Sequence, residues 1–187
     1  IDVFAGTGGF GIAAAKIEST YTNREPGFVD EQHNLDGTRW GLAGGVGAEF
    51  ALHNNWSLNT ELLYLQFRKN TDTFRSVAHG ADVGFESHDS VWVSRVGLNY
   101  RWDNPHHAHA LSAQGAAHPC GPARFSGGYV GGNAGAIRHT ALSHDQDAYI
   151  ADFDEYTATR SGMTAGVQAG FDWQSCRKVF GIAADWN

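Results

Sequence analysis

RVGLNYRW, residues 95–102, is the stretch whose reading decides the fold. A β-strand sends successive side chains to opposite faces, and read back to Val91 this stretch separates into two sets. Trp92, Ser94, Val96, Leu98, Tyr100 and Trp102 fall on one face, and Val91, Val93, Arg95, Gly97, Asn99 and Arg101 on the other. The first face is apolar with aromatic ends, and the second is mostly polar. In a soluble sandwich or barrel the apolar face is core. In a membrane barrel it faces lipid, with aromatics at the two interfaces and polar residues in the lumen. One strand does not choose between these readings.

The same pattern recurs along the chain. Residues 3–21 (VFAGTGGFGIAAAKIESTY) read as a long Gly/Ala-rich strand, followed by a polar loop over 22–38. Residues 39–53 put Trp40, Leu42, Val46, Ala48 and Phe50 on one face and Ala43, Gly45, Gly47 and Glu49 on the other. The turn His53-Asn54-Asn55 leads into 56–68, where Trp56, Leu58, Thr60, Leu62 and Tyr64 oppose Asn59 and Glu61. A polar loop over 69–89 precedes the opening strand. Residues 103–124 hold three of the four prolines, lack alternation and read as a linker. Strands resume at 125–137, then a polar loop over 138–160, a strand at 161–174, a turn at 175–177 and a strand at 178–187. In 163–173 the outward set is Met163, Ala165, Val167, Ala169, Phe171 and Trp173, with Thr164, Gln168 and Asp172 inward. Both blocks have short turns on one side and long polar loops on the other, as outer-membrane barrels do. A soluble barrel gives no reason for Trp40, Trp56 and Trp102 to sit near strand ends with outward faces.

Composition narrows the class. Among 187 residues there are 24 glycines and 4 prolines, and aromatics reach 12%, which favours long, closely approaching strands over helices. Charged residues are only 18% and the formal net charge is −7, so there is no basic surface for nucleic acid. No apolar run approaches the roughly 20 residues of a spanning helix. A mean hydropathy of −0.36 is compatible with a barrel, whose strands are polar at every second position. Ile1–Phe10 lacks a basic n-region and already alternates. A signal peptide is therefore either already removed, or the sequence starts within a longer precursor.

At this point the motifs resemble a known family. RVGLNYRW resembles the C-terminal assembly signal of outer-membrane proteins, carried by Arg95, Gly97, Tyr100 and Trp102. NNWSLNTELLYLQF followed by SVWVSRVGLNYRW resembles the closing half of the small porin-like, opacity-like family that includes outer-membrane immunogenic and hemin-binding proteins. FSGGYVGGNAGA, GMTAGVQAGFDWQ and KVFGIAADWN are similar to that family's first three strands. The resemblance implies an all-β, antiparallel, up-and-down transmembrane barrel of the eight-stranded type, about seven strands of which are recognisable. It also implies the outer membrane of a Gram-negative bacterium. The blocks run in the reverse of the family order: residues 1–102 supply the closing four strands, 103–124 the linker and 125–187 the opening three. Either the order is permuted and both blocks share one barrel, or this is a tandem slice with the second block in another barrel. An up-and-down barrel pairs its last strand with its first, and a 22-residue linker reaches easily across that seam.

Candidate chemistry is sparse. Glu49, Glu61, Arg95, Arg101, Gln168, Asp172 and Asp185 point inward and place both charge signs in a narrow lumen, where a structural ion-pair network competes with a conducting or ligand-binding interior. His106, His107 and His109, with His118 nearby, are weak metal candidates on a segment that also reads as a plain polar tether. Cys120 and Cys176 permit one disulfide in an oxidising compartment, or two separate thiols. Glu86-Ser87-His88-Asp89-Ser90 contains the residue types of a hydrolase triad, but adjacent positions do not bring such side chains together. The acidic stretch 144–155, with Asp145, Asp147, Asp152, Asp154 and Glu155, lacks the ordered spacing of a calcium loop. No cofactor and no enzyme activity are read. The expected role is structural or porin-like, with outer-membrane lipid and the barrel-assembly machinery as partners and self-association possible in principle. Two alternatives stay open: a soluble lipocalin-like small-molecule-binding barrel, and a self-assembling surface protein that completes its barrel with a neighbour's strand.

Overall fold

The computed structural model describes residues 3–23, 31–52, 54–75, 82–102, 125–145, 155–175 and 178–187. All of its regular structure is β: β1 (Val3–Asn23), β2 (Glu31–Ala51), β3 (Trp56–Phe67), β4 (Asn70–Arg75), β5 (Asp82–Arg101), β6 (Gly127–Asp145), β7 (Glu155–Ser175) and β8 (Lys178–Trp186). They form one sheet in the order β1-β2-β3-β5-β6-β7-β8, with β4 paired to β5, and every pairing is antiparallel.

β4 continues β3 past a bulge. The β3–β5 register ends at Gln66↔Ser90 and the β4–β5 register begins at Asn70↔Ser87, so three residues oppose two. Such an insertion turns side chains locally: Phe67 is buried inward, and Arg68 beside it is exposed.

The two faces are chemically opposite. Leu42, Val46, Leu62, Val96, Val167 and Ile182 are exposed, together with Trp40, Trp56, Trp92 and Trp102. Glu49, Asn59, Arg95, Asn99, Arg101, Asn133 and Gln168 are buried. A sheet buries its polar face only by curling over it, and ion pairs between non-neighbouring strands record that curl. Arg101 on β5 reaches Glu49 on β2 and Asp172 on β7, each at 2.7 Å, and Arg95 on β5 reaches Asp185 on β8 at 2.9 Å. The soluble-barrel alternative requires the opposite arrangement, with the apolar set inside.

Aromatic rings mark both edges of the apolar band. Near the short turns Tyr100 packs edge-on against Trp56 at 5.2 Å and Trp102 at 6.3 Å. Toward the loops Tyr64 and Trp92 pack at 4.8 Å. Trp92 on β5 and Trp102 just past its end are ten residues apart, which at about 3.3 Å per residue and a tilt of about 45° gives a height of about 23 Å. That matches the apolar band of outer-membrane barrels, about 25 Å.

Local conformations fit the turns. Asn54 and Asn55 have φ of 56° and 66°, a region that asparagine tolerates better than most residues. At the junction of the two blocks Gly127 has φ of 115°, and a Cβ there would lie 2.6 Å from the Trp102 carbonyl oxygen, so only glycine fits.

Three polar stretches read as loops are partly strand. β1 and β2 extend to Asn23 and from Glu31, β4 and the start of β5 occupy 70–75 and 82–89, and β6 and β7 extend to Asp145 and from Glu155. Beyond the aromatic rings the outward side chains, such as Lys16, Glu18, Glu86 and His88, are polar as well, so the apolar alternation is lost while the backbone ladder continues. The linker 103–124, and with it Cys120, His106, His107, His109 and His118, lies outside the described residues, as do Cys176, Asp147, Asp152 and Asp154.

Candidate functional site: the polar inner face

The curled face carries three tiers of polar side chains. The tier nearest the short turns centres on Arg101. Its Nη2 donates to both carboxylate oxygens of Glu49 at 2.7 and 2.9 Å, and its Nη1 donates to Asp172 at 2.7 Å and to the Phe125 carbonyl at 3.3 Å. The guanidinium lies 4.8 Å from the Tyr129 ring centre and 5.5 Å from that of Phe125, within cation–π range. Ser57 donates to Glu49 at 2.5 Å. Phe125 is held in place by its own amide, which donates to Gln174 Oε1 at 2.9 Å, while Ser126 Oγ accepts the Gln174 amide at 2.9 Å. Gly170 makes room for this tier, since a Cβ there would lie 2.6 Å from the Tyr129 ring.

The middle tier is a relay of amides and ions. Asn133 Nδ2 donates to Gln168 Oε1 at 3.2 Å, and Gln168 Nε2 donates to Asn99 Oδ1 at 2.5 Å. Asn99 Nδ2 in turn reaches Glu49 at 3.5 Å, so this tier joins the first. Arg95 is buried between Glu61, at 2.6 Å, and Asp185, at 2.9 Å.

The third tier lies toward the loops. Arg39 donates to Ser87 at 2.6 Å, pairs with Asp89 and approaches Asp72 at 3.5 Å. His139 Nε2 lies 2.8 Å from the other Asp89 oxygen.

All seven inward candidates from the sequence therefore share one face, and six of them are ion-pair partners. Arg39, Asp72, Asp89 and His139 were missed because their positions read as loop or strand end. Parity was the available signal, since Asp89 lies an even number of residues from Arg95 and Arg101, and Arg39 from Glu49. The Glu86–Ser90 stretch is split by its own strand: Glu86 bonds His88 at 3.0 Å on one face while Ser87 and Asp89 meet Arg39 on the other. Among the described residues no three His, Cys, Asp or Glu side chains converge as metal ligands. Of the assembly-signal residues, Arg95 and Gly97 are buried inward, while Tyr100 and Trp102 lie in the outward aromatic cluster. Here that strand is followed by β6 in the same sheet.

Residues 2–101, just over half the chain, match the family described as outer membrane protein beta-barrel domain. The chain belongs to that family. Over 97 residues it is 33% identical to the 31 kDa outer-membrane immunogenic proteins of Brucella melitensis biotype 1 and Brucella suis biovar 1. The alignment covers 52% of this chain and 37% of either relative, so the chain spans little more than a third of their length. No solved structure matches it. This outer-membrane barrel chain accordingly has its place in the outer membrane of a Gram-negative bacterium. Its exposed apolar face is the lipid face and its buried polar face the lumen side.

Proposed function

We propose that this barrel chain is a structural, surface-displaying wall element whose lumen is sealed by its own polar network rather than a solute channel or an enzyme. The observation that supports this most is Arg101. One buried guanidinium ties β5 to β2 and β7 and stacks between Phe125 and Tyr129. An eight-stranded interior is only wide enough for side chains, and the cross-lumen pairs at 2.7 Å fill part of it.

The short turns face the periplasm and the long loops face outside, as the family asymmetry implies. The two blocks share one barrel in permuted order. The backbone ladder across the junction supports this, since it runs from Phe85↔Asp145 to Arg101↔Tyr129, and the Trp102 amide adds a bond to Gly128 at 2.9 Å. β1 and β8, at the sheet edges, both run from the turn side toward the loop side. One strand running the opposite way closes the cylinder, satisfying edge groups that would be costly in lipid. Completion by a neighbouring chain requires such a descending strand. The Arg95–Trp102 segment is the element offered to the barrel-assembly machinery.

Planar-bilayer recording tests the seal. The folded wild-type chain is expected to stay silent, and Arg101→Ala to show cation-selective steps, because the six carboxylates of the inner face are then paired with two arginines instead of three. Large steady conductance of the wild type would contradict the sealed reading.

A further inference from the structure

A second charge pattern lies on the outward face, at the loop-side edge of the apolar band. Arg138 on β6 is the cross-strand partner of Trp92 on β5. The amide of Arg68 donates to the carbonyl of Trp40 at 3.0 Å, which sets Arg68 beside Trp40 on the neighbouring strand. Each exposed arginine thus sits next to an exposed tryptophan of the outer aromatic ring. Neither arginine has a side-chain hydrogen bond or ion pair among the described residues. Two outward acids on this side, Glu18 and Glu86, are already engaged. Glu18 accepts Lys16 at 2.7 Å, and Glu86 accepts Lys69 and, at 3.0 Å, His88. The hydrogen bond from Lys16 holds the Glu18 carboxyl below the ordinary range, and the bond from Lys69, followed by that from His88, does the same for Glu86. On a chain of net charge −7, two cations with no partner among the described residues thus sit on the loop-side rim.

We propose that Arg68 and Arg138, each with its tryptophan, bind the phosphate groups of the anionic glycolipid in the outer leaflet. A guanidinium fork matches phosphate oxygens two at a time, and indole rings settle at headgroup depth. A lipid phosphate is the anion held at that same depth. The proposal rests on the loops-outward orientation above.

The test uses the full chain folded in detergent, with binding of bis-phosphorylated lipid A read by native mass spectrometry against the same lipid after enzymatic dephosphorylation. The phosphorylated lipid is expected to bind more tightly. Arg68→Gln and Arg138→Gln should each weaken it about fivefold and the double variant about twenty-five-fold, from roughly one headgroup contact per arginine. Arg68→Lys with Arg138→Lys should recover most of the affinity, and Lys178→Gln, near the turn-side rim, should leave it unchanged. Folding of every variant is checked by its heat-dependent gel mobility. Equal affinity for the dephosphorylated lipid, or a double Gln variant that binds like wild type, overturns the proposal. Displacement by millimolar inorganic phosphate also overturns it, since it marks a soluble-anion site. Orientation has its own readout. In a background with Cys120 and Cys176 changed to Ser, Thr73→Cys should be labelled by an impermeant maleimide on intact cells. Absence of labelling overturns the orientation whatever the lipid measurement shows.

Discussion

β5 passes through two environments, and its two halves are written differently. From Trp92 to Trp102 the strand alternates strictly, because lipid lies on one side and a crowded polar lumen on the other. From Asp82 to Val91 the ladder continues with the same pairing, yet Glu86 and His88 on one face and Ser87 and Asp89 on the other are all polar. The solvent on the outer face sets the sequence signature, whereas backbone pairing sets the strand. Substitutions should therefore have large effects between the aromatic rings and small effects beyond them.

The largest effect is expected at the turn-side tier. Arg101→Ala leaves Glu49 and Asp172 buried without their cation and should cost about 3–5 kcal/mol, measured by urea unfolding in lipid vesicles. A loss below 1 kcal/mol would mean that water, not Arg101, compensates those carboxylates. Next is the lipid face. Leu98→Arg, near the middle of the band, should cost about 2–4 kcal/mol, and a neutral result would place Leu98 away from lipid. Gly170→Ala should cost about 1–3 kcal/mol by overpacking against Tyr129 and the Ile182 carbonyl, and Tyr129→Ala should relieve only part of it, because the carbonyl contact remains. On the loop-side extension Thr73→Arg, exposed on β4, should change stability by no more than about 0.5 kcal/mol. That contrast with Leu98→Arg is the cleanest way to break the comparison.

The smallest effect concerns pH. Glu86 has its folded carboxyl held below the ordinary glutamate value of 4.5, first by Lys69 and then by His88. A depressed carboxyl stabilises the fold above the unfolded value and loses that contribution as pH falls through the folded one. Wild type and Glu86→Gln should thus differ slightly above about pH 4.5 and converge below it. A difference that grows on acidification would have the wrong sign.

The same contrast explains what could be read from the sequence. Strand positions between the rings, the outward tryptophans and all seven inward polar candidates were legible, because one-sided lipid forces period two. Arg39, Asp72, Asp89 and His139 were not, since they lie at or beyond the ring where outward residues are polar as well; parity within a strand marks Arg39 with Glu49, Asp89 with Arg95 and His139 with Asn133 as inward, and Asp72 carries no such mark because it lies past a bulge. β4 was hidden for a further reason: the bulge at Phe67–Lys69 shifts the parity midway through the strand. Phe125 as part of the inner tier was also illegible, because it precedes β6 and its place depends on Gln174 and Arg101, distant in sequence.

The central claim is that both blocks form one sheet with β5 beside β6, and cross-linking at that junction tests it most directly. In a background with Cys120 and Cys176 changed to Ser, Val96→Cys with Ala134→Cys places two thiols at paired positions on the lipid face. Val96→Cys with Asn133→Cys places them on opposite faces. The account predicts rapid intramolecular disulfide formation in the folded monomer for the first pair and almost none for the second. Absence of the 96–134 bond, or its formation only between chains, would separate the blocks into different barrels and contradict the account.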